Sequence, residues 1–228
     1  MPNYVANIVR MRGIAKQPLF TERDDERYFD FNKIIPMPES LDIKCGGTQD
    51  ESIMYYLTDR CTVPVNRLNQ NAEKELYATV DIYSESWAQE IFIRTQEIAY
   101  KATKTEKDKL FNNGKTYIEN YRNYGYTTGY DWCIKNWGVK WNTCSNEQVN
   151  DDTIAFQTAW SAPLPVIKKL SEMYPNAIVS IMYADEDEGY NTGYFIFVNG
   201  EIVEGKENED NSDEAYETYE ECWGYVCE

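Results

Sequence analysis

Three tryptophans fall within ten residues of the segment YDWCIKNWGVKWNT, residues 130–143, with Asp131, Lys135 and Lys140 set among them. Indoles beside ammonium groups suit cation–π contacts and the stacking of bases. The same spacing also fits a core. If residues 130–136 end a helix and residues 137–143 open a strand, then Trp137, Val139 and Trp141 share one sheet face. Lys140 and Asn142 project from the other face, and Trp132 covers the helix–sheet seam, each indole N–H needing an acceptor. Core is the favoured reading and a stacking surface is its alternative.

Carboxylates form the second concentration of chemistry. The segment ADEDEGYNTG, residues 184–193, gathers Asp185, Glu186, Asp187 and Glu188, oxygen ligands of the kind a hard cation takes. Counted from Asp185, glycine stands at position five and Tyr190 at six, which departs from a calcium-loop pattern. A hairpin turn bearing solvated acids is the simpler account, so no metal is expected. Residues 185–228 carry 15 acidic residues against the single base Lys206. Such a segment repels phosphate backbones and attracts cationic surfaces over roughly 8 to 10 Å at ordinary salt. The expected partner-binding patch joins Asp185, Glu186, Asp187 and Glu188 with Glu207, Glu209, Asp210, Asp213, Glu214, Glu217, Glu220 and Glu221. Tyr216, Tyr219 and Trp223, spaced three and four apart, anchor either the helix that carries them or the partner.

Other chemistry is thinly represented. The chain has no histidine, which removes the commonest general base and the Ser-His and Cys-His nucleophile pairs. Its six cysteines, Cys45, Cys61, Cys133, Cys144, Cys222 and Cys227, include no C-x-x-C pair and are expected as reduced thiols. No glycine-rich phosphate loop is present. With 39 acidic residues, a close carboxylate pair arises in any fold and carries no information. The chain is therefore expected to be no enzyme and to need no cofactor.

The elements that must position these groups follow from periodicity. ANIVRMRG predicts a first strand ending at Gly13. RDDER, residues 23–27, suggests an exposed loop or helix surface. YFDFNKIIPMPESL places Phe29, Phe31 and Ile34 near a strand end, and Pro36 and Pro38 force an extended exit. Helical spacing starts at Ser52. SESWAQEIFIRTQEIAYKATKTEKDKL predicts one helix with Trp87, Ile91, Ile98 and Ala102 along a stripe and a capping box of Ser86 with Gln89. Lys101, Lys104 and Lys107 form its solvated basic side. DDTIAFQTAWSAP predicts a strand, and PLPVIKKLSEMYP a helix opened near Pro165 that buries Val166, Leu170 and Met173. The next stretch, AIVSIMYADEDEGYNTGYFIFVNGEIVE, alternates strand-like runs with turns, the second carrying Asn199-Gly200, a type I′ hairpin signal, so the order is strand, helix, strand, strand, and the chain closes on an amphipathic acidic helix.

MPNYVANIVRMRG, FDFNKIIPMPESL, YDWCIKNWGVKWNT and FQTAWSAPLPVIKKLSEMYP together resemble successive blocks of the YubB-type ferredoxin-like family of phage, prophage and plasmid proteins. The resemblance covers roughly residues 1–200 and leaves the acidic end outside. It implies a βαββαβ-type topology without an iron–sulfur cluster, and it carries over no catalytic residue. The expected fold is α+β: a ferredoxin-like antiparallel sheet with helices on one face, a helical insertion at about residues 52–130, and an acidic C-terminal extension over residues 201–228.

On these grounds the expected role is a non-enzymatic phage or mobile-element accessory protein in the bacterial cytoplasm. Its partner is a basic host protein, a defence nuclease or its complex, inhibited by acidic contacts that mimic nucleic acid. The alternative is a nucleic-acid-binding accessory factor that uses the basic, aromatic residues 94–140, with the acidic tail as a mask. No apolar run approaches the roughly 18 to 20 residues of a membrane span, so no membrane partner is expected.

Overall fold

A computed structural model describes residues 3–15, 17–23 and 26–225. Asp24 and Asp25 of the RDDER segment, and Cys227, lie outside the described residues. The chain divides into two units, residues 1–37 with 130–228 and residues 38–129.

The first unit opens with β1 (Tyr4–Arg12), whose residues are buried on both faces over most of its length. That pattern marks a central strand. Two short strands follow, β2 (Phe20–Arg23) and β3 (Glu26–Phe29), paired antiparallel from Phe20 with Phe29 to Arg23 with Glu26. Strand pairing, and not loop or helix surface, thus accounts for both ends of RDDER. Phe29, Phe31 and Ile34 are buried, and Pro36 then leads the chain out.

The second unit is helical. It comprises α1 (Gln49–Leu57), α2 (Gln70–Thr79), α3 (Glu85–Lys101) and α4 (Lys104–Tyr124). Ile53, Met54, Leu76, Ile91, Phe92, Tyr117 and Ile118 form its core. The single long helix expected after Ser84 is two helices. Thr103 caps the second, accepting from the Glu106 amide while the Glu106 carboxylate accepts from the Thr103 amide. Ser84, not Ser86, caps α3 through the Trp87 amide. Lys101 therefore ends one helix while Lys104 and Lys107 start the next, and they form no single stripe.

The first unit resumes with α5 (Gly129–Trp137), β4 (Cys144–Glu147), β5 (Thr153–Ala159), α6 (Leu164–Met173), β6 (Ile178–Asp185), β7 (Gly193–Val198), β8 (Glu201–Glu207) and α7 (Asp213–Trp223). Six strands make one antiparallel sheet in the order β4-β5-β1-β6-β7-β8. β5 and β6 both pair with β1, so the β5–α6–β6 crossover straddles the N-terminal strand, a split β-α-β arrangement. Asn199 and Gly200, with φ of 49° and 79°, make the hairpin turn between β7 and β8. Residues 201–207 supply the edge strand of the sheet.

Register sorts the side chains. Asn7 lies opposite Phe156 and Tyr183, and on this face Phe156 packs on Phe29 at 5.4 Å and on Phe31 at 6.0 Å. Phe31 meets Trp137 at 5.7 Å, and Trp137 meets Trp132 at 5.6 Å, edge to face. Trp137 Nε1 donates to the Ile35 carbonyl at 2.9 Å. The opposite face presents Ala6, Ile8, Met182 and Ala184, and α7 covers it with Tyr219, Cys222 and Trp223. Val166 and Leu170 of α6 are buried as expected, but Met173, the last residue of the helix, is 42% exposed.

Candidate partner-binding surface

Asp185, the last residue of β6, organises one end of the sheet. It is only 7% exposed, and both carboxylate oxygens are occupied. Oδ1 accepts from Asn3 Nδ2 at 3.2 Å and from the Asp187 amide at 3.1 Å, while Oδ2 accepts from Asn191 Nδ2 at 3.2 Å. Its carbonyl accepts from Trp223 Nε1 at 2.8 Å, which pins the end of α7 to the sheet. Asp185 is thus a structural member of the patch. A carboxylate already holding three donors has little left for a partner.

Two acidic segments that are distant in sequence meet beside it. The loop between β6 and β7 docks on the connection between β8 and α7: the Asn208 amide donates to the Thr192 carbonyl at 2.9 Å and the Asn211 amide to the Gly189 carbonyl at 2.8 Å. Asn208 Nδ2 further reaches Thr192 Oγ1 at 3.1 Å and Thr218 Oγ1 at 3.0 Å. Tyr216 lies against Gly189, which has a positive φ of 82°, and a Cβ there would meet the ring at 3.0 Å. These contacts set Glu186, Asp187 and Glu188 next to Glu209, Asp210, Asp213 and Glu214. Those seven are exposed, as are Glu207, Glu217 and Glu220. Ser212 caps α7 through the Ala215 amide at 3.2 Å, and Asp213 and Glu214 in its first turn complement the helix dipole.

Three other expected contact residues have internal roles. Glu221 pairs with Arg10 at 3.0 Å, and Tyr219 and Trp223 pack on the sheet. Tyr216 remains on the surface, its hydroxyl donating to Asn211 Oδ1 at 3.3 Å. Burial drives the Cys222 thiol well above its usual range, so this sulfur behaves as part of the core.

The tryptophan block divides. Trp132, Trp137 and Val139 are core, but residues 138–143 form no strand, and Trp141 is 37% exposed. Lys140 is not aimed from an open sheet face. Its ammonium lies over three rings, 4.3 Å from Trp160, 4.9 Å from Trp141 and 5.3 Å from Tyr130. Trp160 follows β5, is 46% exposed, and has a φ of 71°. A bulky residue in that left-handed region is strained. The Trp160 amide donates to the Asn3 carbonyl at 2.9 Å, and its carbonyl accepts from Asn191 Nδ2 at 3.3 Å, the amide that also serves Asp185. Trp160, Tyr130 and Asn191 were not singled out from the sequence. Trp160 looked like the end of a strand, and nothing in strand periodicity signals a turn that exposes the indole.

Among the described residues, no group of three or more Cys, Asp or Glu is placed to hold a metal ion. No helix among them is long and apolar enough to cross a membrane. In the helical unit several cations of the proposed nucleic-acid surface are already paired. Arg94 meets Glu51 at 2.6 Å, Lys115 meets Glu119 at 3.6 Å, and Arg122 bonds both oxygens of Glu75 at 2.6 and 2.9 Å. Hydrogen bonding to Glu75 pushes the Arg122 guanidinium further toward its charged form.

Residues 136–225 match the family model described as "Ferredoxin-like domain in Api92-like protein". The matched segment begins at the end of α5 and runs through β4 to α7, including the acidic residues past 200 that the YubB-type resemblance left outside. It omits β1, which sits between β5 and β6, so the sheet of this ferredoxin-like domain is completed by a strand from the start of the chain. None of the curated proteins compared matches the chain. A crystal structure of a protein api92 from Yersinia pseudotuberculosis aligns over 93% of this chain and 100% of that chain, at 12% identity and a TM-score of 0.38. A score at that level supports no inference about function.

Proposed function

We propose that this protein is a non-enzymatic binding protein whose acidic surface engages a basic protein. The observation that carries the reading is the docking of the β6–β7 loop on the β8–α7 connection, which merges two acidic segments into one exposed surface on a rigid sheet end. A concentrated negative field of this kind steers cationic partners and repels phosphate backbones. The finer reading belongs to the same proposal: a YubB-type, mobile-element accessory protein, acting in the bacterial cytoplasm, that occupies the nucleic-acid groove of a host defence nuclease. The alternative, nucleic-acid binding by residues 94–140, is weakened by the ion pairs that engage Arg94, Lys115 and Arg122.

The test is affinity capture of the full chain from nuclease-treated bacterial lysate, followed by titration of the captured protein against salt. A basic partner is expected. A variant with Glu209, Asp210, Asp213, Glu214 and Glu217 changed to Asn or Gln is expected to bind it at least ten-fold more weakly and with a flatter salt dependence. Unchanged affinity of that variant rejects the acidic surface. Retention of nucleic acid alone, in an untreated sample, points to the basic helices instead.

A further inference from the structure

The ring cluster around Lys140 has a chemistry that the acidic surface alone does not supply. We infer that Trp160, Trp141 and Tyr130 form an aromatic seat for a partner's arginine side chain, and that Lys140 is an internal occupant which the arginine displaces. This rests on the proposed binding of a basic protein and specifies its anchor.

Four observations support the seat. First, an ammonium group in a chain of net charge -17 lies against aromatic faces, and among the described residues it makes no ion pair with a carboxylate. The rings therefore already select a cation. Second, two of the three rings are indoles, the strongest cation–π acceptors, and both are more than a third exposed. Third, Trp160 is held at both its amide and its carbonyl in a conformation bulky residues avoid, so the backbone that carries its ring is fixed before any partner arrives. Preorganised aromatic side chains lose little freedom on binding, which is why they dominate interface energetics. Fourth, Asn191 bridges the Trp160 carbonyl and the Asp185 carboxylate, which places the seat one side chain away from the loop bearing Glu186, Asp187 and Glu188.

Arginine suits this seat better than lysine. Its guanidinium is flat, stacks on indoles and is more weakly hydrated than an ammonium. Lys140 sits on a flexible four-carbon stem and can swing to solvent when a better cation arrives. The field of the negative loop then offsets the charge of the guest.

The test uses the full chain and two probes, an arginine-rich peptide of alternating Arg and Gly and an oligothymidylate of the same length, followed by tryptophan fluorescence and by the indole N–H resonances. The expected result is saturable peptide binding that perturbs the Trp160 and Trp141 indoles. Lys140→Met should tighten it about ten-fold, Lys168→Met, a charge control on α6, should change it less than about two-fold, and Trp160→Ala should weaken it about ten-fold. Trp141→Leu serves as the second ring variant should loss of Trp160 perturb folding. Equal effects of Lys140→Met and Lys168→Met reduce the site to long-range charge and overturn the seat. Binding of the oligothymidylate in place of the peptide, lost in the ring variants, makes it a base-stacking platform and also overturns it. Peptide binding that needs the acidic residues but ignores both ring variants overturns the seat while leaving the acidic-surface proposal standing.

Discussion

Asp30 illustrates how a single carboxylate ties distant segments of this chain together. Partial burial pushes its pKa up, but hydrogen bonds from Thr21 Oγ1 at 2.7 Å, Asn142 Nδ2 at 2.7 Å and the Asn32 amide at 2.9 Å outweigh that and hold it below the usual value of 3.8. A pKa lowered by folding contributes stability that is complete above the unfolded value and fades as pH falls through the folded one. Asp30→Asn should therefore cost roughly 1–3 kcal/mol near neutral pH. Denaturant unfolding at pH 7, 5 and 3 should show the gap to the parent closing at the lowest pH, and a gap independent of pH would reject the account. Asn142, from the aromatic block, also accepts from the Phe31 amide at 3.1 Å. Two segments that drew notice for their rings are thus joined by polar side chains. At this scale the aromatic and acidic clusters were visible in the sequence, whereas the helix cap was placed at Ser86 and not at Ser84, and a distant partner such as Asn142, 112 residues from Asp30, was not legible.

Among the elements, α1 and α4 make the most demanding contact. Gly114, in the middle of α4, lies so close to α1 that a Cβ would overlap the Ser52 carbonyl and come within 2.8 Å of Tyr56 Cβ. In an exposed helix, Gly→Ala gains about 1 kcal/mol from propensity. Here the sign should reverse, because neither the Ser52 backbone nor the Tyr56 stem can yield cheaply. Gly114→Ala is expected to lower stability by roughly 1–3 kcal/mol net of the propensity gain. Thermal unfolding reads it, and a raised midpoint would contradict the packing. The break between α3 and α4 is instructive in the same way. The apolar period continues through Ala102 and Thr103, so periodicity alone predicts one helix, while the Thr-x-x-Glu pattern of Thr103 and Glu106 is the local signal that a new helix starts.

For the whole molecule, charge is the dominant property. A net charge of -17 means self-repulsion in the compact state. Raising NaCl from about 10 to 200 mM, which shortens the Debye length from about 30 to under 8 Å, is expected to raise the midpoint of thermal unfolding. A falling midpoint would mean that the ion pairs outweigh the repulsion. The same salt change should weaken binding of a basic partner, so stability and affinity are expected to move in opposite directions.

The sequence by itself determined the strand at the N-terminus, the order strand, helix, strand, strand after residue 150, the Asn199-Gly200 turn and the lack of any histidine-based chemistry. These depend on period, turn residues and composition, which are local. Tertiary structure decided that residues 201–223 complete the sheet and cover one of its faces, that Asp185 is buried while its neighbours are exposed, and that Lys140 is seated among rings. It also decided that Trp160, silent in the sequence, stands at the surface. Each depends on sheet register, loop docking or a positive φ, and those are fixed by contacts between residues far apart in the chain, which no local pattern encodes.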